Sequence, residues 1–177
     1  MHGDLRDRLI RAFRWTDPGP AADVLVSDRS GWWRDPDILD GLGPALAGLW
    51  PDAAPTVVIA PEVTGFLLGP LVARALRAGF VEAYREGARR PIAETMSWTD
   101  VLADHRGDRQ RLGIRSALVT PADRVLVVDD WAATGAQSRA LCTLVRRLGA
   151  TPVGVAVIVN DCPGDASIRG LLTGGDL

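Results

Sequence analysis

The chain contains no lysine: all 20 of its basic residues are arginine. A Walker A phosphate loop needs its lysine, so that motif is excluded, and Schiff-base chemistry with it. A receiver domain, another setting for paired acids at a strand end, is also disfavoured without one. Cysteine is scarce. Cys142 and Cys162 lack metal-ligand spacing, and Cys142 falls in a helical pattern as a small core residue, which fits a reduced, cytoplasmic setting. No apolar run is long enough to span a membrane, and the first residues, with Asp4 and Asp7 among arginines, do not read as a signal peptide. A basic excess is missing too. The net charge of −2 argues against a general nucleic-acid binder. No repeat, low-complexity stretch or linker divides the 177 residues, so the length reads as one domain over 1–177 with a proper core.

What is present is an alternation of apolar strands and helical patterns. Leu5, Leu9, Ile10 and Phe13 give residues 4–15 an amphipathic helical spacing, which Asp17-Pro18-Gly19-Pro20 ends. A short strand is expected at 22–27. A helix follows over 36–49, opened by Asp35-Pro36 with proline in its first turn. Thr56–Ala60 reads as a strand, Gly65–Ala78 as a helix and Phe80–Tyr84 as a strand. Residues 88–111 are polar and poorly periodic, and read as a mobile segment with a helical turn near Thr99–Ala103. Arg124–Val128 is the central strand, 136–148 a helix with one apolar stripe, and Pro152–Val159 a strand apolar on both faces. The glycine-rich tail from Cys162 is unassigned. The fold class is α/β, a twisted and mainly parallel sheet flanked by helices, whose ligands sit at the carboxyl ends of the strands.

Two such ends carry chemistry. Asp129 and Asp130 close the strand Arg124–Val128, and Ala133-Thr134-Gly135-Ala136-Gln137 follow as a small-residue loop into a helix. A helix N-terminus with free backbone N–H groups holds a phosphate, while the carboxylates accept hydrogen bonds from ring hydroxyls. Together they suit a phosphorylated sugar. Taken alone, adjacent acids also cap helices or form surface ion pairs. The second end is Glu62-Val63-Thr64-Gly65, a turn that presents N–H groups to an anion or simply joins a strand to a helix. Tyr84–Pro91 brings Arg85, Arg89 and Arg90, which match phosphate oxygens bidentately or form a solvated basic loop.

The run from Arg124 to Ser138 resembles the phosphoribosyl pyrophosphate motif of the type I phosphoribosyltransferases, closest to the adenine phosphoribosyltransferase branch. Ala136 and Gln137 stand where a second small residue and a hydroxyl residue are usual. Gly65-Phe66 match that branch's pyrophosphate loop, but Val63-Thr64 replace its common Ser-Arg. The resemblance covers about residues 22–160. It implies the type I phosphoribosyltransferase fold with a small variable hood, the N-terminal helix and C-terminal tail contributing to that hood or to a homodimer.

It also implies roles. Asp129 and Asp130 bind the ribose 2′- and 3′-hydroxyls, and Ala133, Thr134, Gly135, Ala136 and Gln137 wrap the 5′-phosphate. Glu62, Val63, Thr64, Gly65, Arg85 and Arg89 or Arg90 hold pyrophosphate. Trp33, in Gly31-Trp32-Trp33-Arg34-Asp35, and Trp131 face the base, although six tryptophans also fill cores. Asp104, with Asp108 and His105 behind it, stands near the acid that assists the base; the same residues also make a plain solvated loop. Mg2+ is held chiefly by substrate oxygens, with no protein ligand cluster. The implied activity is transfer of 5-phosphoribosyl from phosphoribosyl pyrophosphate to a purine or purine-like base in purine salvage, with the altered pyrophosphate loop leaving a specialised base open. A non-catalytic phosphoribosyl pyrophosphate sensor, or a phosphoribosyl hydrolase or lyase, would use the same cradle.

Overall fold

The computed structural model describes residues 2–20, 24–87, 92–101 and 110–177. Its centre is a seven-stranded sheet made of β3 (Val57–Pro61), β4 (Gly79–Arg85), β5 (Met96–Val101), β6 (Gln110–Arg115), β7 (Arg124–Ala132), β8 (Thr151–Asn160) and β9 (Ile168–Leu172). Across the sheet the order is β5-β6-β4-β3-β7-β8-β9. Strands β4, β3, β7, β8 and β9 are parallel, and the β5–β6 hairpin joins antiparallel on the β4 side. Strand β7 is therefore the middle of the five parallel strands.

Side chains alternate between the two faces of the strands, and both faces are covered. Val57 and Ile59 of β3, Val125 and Val127 of β7, and Val155 and Val157 of β8 pack with Leu141, Leu144 and Val145 of α5 (Ala136–Arg147). Val58, Leu126, Val128, Ala156 and Ile158 point the other way. They meet Leu9 of α1 (His2–Ala12), Leu42 and Leu46 of α3 (Pro36–Ala47), and Leu68 and Val72 of α4 (Gly65–Leu76). Each buried Leu or Val contributes about 1.5–3 kcal/mol.

Helix α3 starts as its capping residues dictate. Asp35 Oδ1 accepts from the Asp37 N–H at 2.9 Å, and Pro36 occupies the first helical position. Helix α4 lies close on β4 because Gly69 has no side chain: a Cβ there would fall 2.1 Å from the Phe80 ring.

The remaining elements form a small hood. Strands β1 (Arg14–Thr16) and β2 (Val26–Asp28) pair antiparallel, with Trp15 opposite Ser27, and lead into the short α2 (Ser30–Arg34).

Four expectations need correction. The N-terminal helix stops at Ala12 instead of residue 15, since Phe13 is buried in the core and residues 14–16 pair with β2. The strand expected at 22–27 is found at Val26–Asp28. Of the helical turn expected at Thr99–Ala103, the described residues Thr99–Val101 are strand instead: Met96–Val101 is β5, with Thr99 and Val101 buried and Asp100 exposed between them. Leu112 and Ile114 of its partner β6 enter the core in the same alternation, so this part of 88–111 is an ordered hairpin. Finally, β7 continues past Val128 to Ala132, which places both acids within the strand. The unassigned tail supplies β9, the parallel edge strand.

Candidate active site

The carboxyl ends of β3, β4 and β7 and the N-termini of α4 and α5 converge on one cleft of about 220 Å³. Its floor is Asp129 and Asp130, 7% and 6% exposed despite their charge. Strand alternation directs the two side chains to different faces, yet both border the same cavity. Asp129 Oδ1 accepts the Asp130 N–H at 2.9 Å. Burial, followed by the negative charge of Asp130, pushes the Asp129 carboxyl well above the usual carboxylate range, against the opposing hydrogen bond from the Asp130 N–H and the Arg85 charge. Asp130 is ion-paired with Arg29, which comes down from the hood at the start of α2.

Beyond the acids the chain turns sharply. Gly135 has φ of +68°, a left-handed conformation that permits Ala133-Thr134-Gly135 to bend into α5. A Cβ at Gly135 would lie 2.7 Å from Arg139 Nη1 and 2.8 Å from Ile168 Cδ1. Arg139 braces the turn from behind by donating to the Thr134 carbonyl at 2.5 Å and to Asp165 at 3.2 Å. The N-cap Gly135 has no side chain to cap α5, and the Thr134 hydroxyl accepts only the Ala136 N–H, at 3.4 Å, so further N–H groups of the first turn are open to an anion.

Across the cleft, Glu62, Val63 and Thr64 form the turn before α4, and the Glu62–Val63 peptide is cis. Thr64 makes no side-chain cap to α4. Arg85, at the end of β4, is held by three neutral oxygens: the Glu62 carbonyl at 3.1 Å, Gln110 Oε1 at 2.6 Å and Gln137 Oε1 at 3.1 Å. Through Gln137 the start of α5 and the end of β4 become one braced unit.

The aromatic residues gather on the hood side. Trp131 borders the cleft, and its Nε1 donates to Asp161 at 2.8 Å. Its ring lies 6.0 Å from Phe13 and 6.1 Å from Trp15. Trp33 meets Trp32 edge to face at 6.1 Å, while Trp32 is fully buried and donates to the Leu9 carbonyl.

The structure thus brings together Asp129, Asp130, Glu62, Val63, Thr64, Arg85, Gln137 and Trp131 around one cavity. Ala133, Thr134, Gly135 and Ala136 continue from it as the turn, with Gly65 beginning the facing helix. Arg89, Arg90, Asp104, His105 and Asp108 lie outside the described residues. Sequence reasoning missed Arg29. Its partner is 101 positions away, and nothing around Asp28-Arg29-Ser30 forms a motif.

Comparison with known proteins agrees with this geometry. No family model matches the chain. A protein of Rhodococcus jostii named adenine phosphoribosyltransferase is 35% identical over 160 residues, covering 90% of this chain and 86% of its own. Its namesake from Bacteroides fragilis is 30% identical over 155 residues, with 88% and 84% covered. Among solved structures, the adenine phosphoribosyltransferase of Rhodothermus marinus superposes with a TM-score of 0.82 over 97% of this chain and 99% of its own, at 24% identity. That from Trypanosoma brucei, in complex with AMP, pyrophosphate and ribose-5-phosphate, gives 0.80 over 98% and 81%, at 22% identity. At such identities the structures attest to a shared fold.

Proposed function

Since the chain belongs to the adenine phosphoribosyltransferase family, we propose that it transfers 5-phosphoribosyl from phosphoribosyl pyrophosphate to adenine or a closely related purine and releases pyrophosphate. The observation that carries this reading is the pair of buried acids set between two helix N-termini. Asp129 and Asp130 accept from the ribose 2′- and 3′-hydroxyls. The N-terminus of α5, with Ala133 to Gln137, receives the 5′-phosphate, and Thr64, Gly65 and Arg85 receive pyrophosphate. Trp131, with Trp33 from the hood, forms an aromatic surface for the base.

Attack by the base nitrogen on C1 passes through a state with positive charge on the sugar and negative charge on the departing pyrophosphate. The carboxylates of β7 oppose the first charge, and Arg85 with the α4 N-terminus opposes the second. Neither partner needs an activated protein nucleophile; position and charge supply the rate. Mg2+ would be held chiefly by oxygens of the sugar pyrophosphate, where it would supply positive charge to the leaving group. The free thiols of Cys142 and Cys162 support a reducing, cytoplasmic setting. The exposed apolar residues Val24, Leu25 and Val26 on the hood support pairing of two copies as a homodimer.

The test is turnover with phosphoribosyl pyrophosphate, Mg2+ and a panel of bases. Pyrophosphate release that depends on adenine or one related purine is expected, and Asp130→Asn should lower kcat/KM by roughly 100-fold or more. Binding without turnover would make the chain a sensor, and base-independent release a hydrolase.

A further inference from the structure

The cleft contains one cation whose partner is itself needed for the reaction. Arg29 is anchored in the hood through its backbone, its carbonyl accepting from the Trp32 N–H at 3.0 Å. Its side chain reaches down to Asp130, and the two side chains are 29% and 9% exposed. While that pair persists, the Asp130 charge is cancelled by a guanidinium and one carboxylate oxygen is occupied. A ribose hydroxyl needs that oxygen. The positive charge growing at C1 needs that carboxylate unneutralised. The resting ion pair therefore competes with the loaded site for Asp130.

The other end of the same cleft has the opposite need. Thr64 borders it with a neutral hydroxyl and Glu62 with a carboxylate, so the turn before α4 offers a departing pyrophosphate backbone N–H groups but no positive side chain. Arg85 is committed by three hydrogen bonds that hold its guanidinium in place. Pyrophosphate brings several negative charges, and a guanidinium matches its oxygens bidentately. Arg29 lines the cavity together with Thr64, on a long side chain whose partner in the empty site is Asp130.

We propose that Arg29 is a leaving-group cation of this chain, acting beside Arg85: it rests on Asp130 in the empty cleft and turns to the pyrophosphate oxygens beside Thr64 when the sugar diol claims Asp130. This rests on the transferase reading above and deepens it. The same side chain shields a buried acid before substrate arrives and stabilises the departing group afterwards. Binding of the sugar and of pyrophosphate are thereby linked, because occupation of Asp130 by the diol releases the cation that pyrophosphate uses.

Calorimetric titration of inorganic pyrophosphate and of ribose 5-phosphate, each with Mg2+, separates the two roles. Arg29→Gln should weaken pyrophosphate by roughly 10- to 100-fold, the range for a lost charge-assisted contact. Ribose 5-phosphate should bind as well as before or more tightly, since Asp130 is already free. Arg29→Lys should recover part of the pyrophosphate affinity, and Arg29→Gln with Thr64→Arg should restore more of it at an unchanged melting temperature. Unaltered pyrophosphate binding in Arg29→Gln, or equal weakening of both ligands, would overturn the assignment. Wild-type protein that binds pyrophosphate through Arg29 yet turns over no base keeps the assignment and sinks the transferase reading. Turnover with Arg29-independent pyrophosphate binding does the reverse.

Discussion

At the scale of single residues the proposed chemistry draws on Asp129, an acid held where water barely reaches. Its carboxyl is raised by burial and by Asp130, so the folded protein keeps a proton that the unfolded chain releases at lower pH. The folded state therefore binds more protons across that window, and its stability falls as pH rises from the ordinary carboxylate range through the raised value. Asp129→Asn removes the ionisation and keeps an oxygen for the Asp130 N–H. Chemical denaturation should find this variant more stable than wild type at pH 8, by about 1–3 kcal/mol, with the difference shrinking toward pH 4. A gap that widens in acid would contradict the assignment. The two acids and their turn were legible in the sequence because all of their parts are contiguous from Val128 to Gln137. Arg29 was not, because an ion pair across 101 positions leaves no local pattern.

Among the elements, legibility followed the strength of local signals. Helix α3 was readable from Asp35-Pro36, and the structure has Asp35 capping it as that dipeptide implies. Asp35→Ala should cost about 1 kcal/mol in urea unfolding, with the slope of the transition unchanged. A loss within error would mean that the Pro36 conformation alone starts the helix. The β5–β6 hairpin was missed for a physical reason. Its outward positions carry Asp100, Arg111 and Arg115, so its composition resembles a solvated loop, while its inward positions are few and lie on two strands. Trp98 also packs over Gly113, where a Cβ would stand 2.4 Å from the ring, a fit no single-strand pattern reveals. The N-terminal helix was drawn too long because its first breaker in the sequence is Asp17-Pro18, whereas pairing of residues 14–16 with β2 ends it at Ala12.

For the whole molecule, two cores on either side of one sheet give β7 apolar cover above and below, and the acids inherit that rigidity. The mainly parallel sheet and its covering layers were readable from continuous apolar runs such as Pro152–Val159; the strand order and the pairing of β1 with β2 depended on distant contacts and were not. Homodimer formation, taken above from the exposed hood residues, belongs to this scale. Sedimentation equilibrium should return twice the 18.9 kDa of one chain, and Leu25→Glu should shift the equilibrium toward single chains while leaving the melting profile of the sheet intact. A single-chain mass for the unmutated protein would remove that reading. The two-stranded ribbon of the hood has a different consequence. It contributes no strand to the seven-stranded sheet, and each of its strands is only three residues long. On the transferase reading proposed above, exchanges in it would leave the scaffold's own folding almost untouched, so acceptor preference would be free to drift between descendants while the grip on the sugar stays constant.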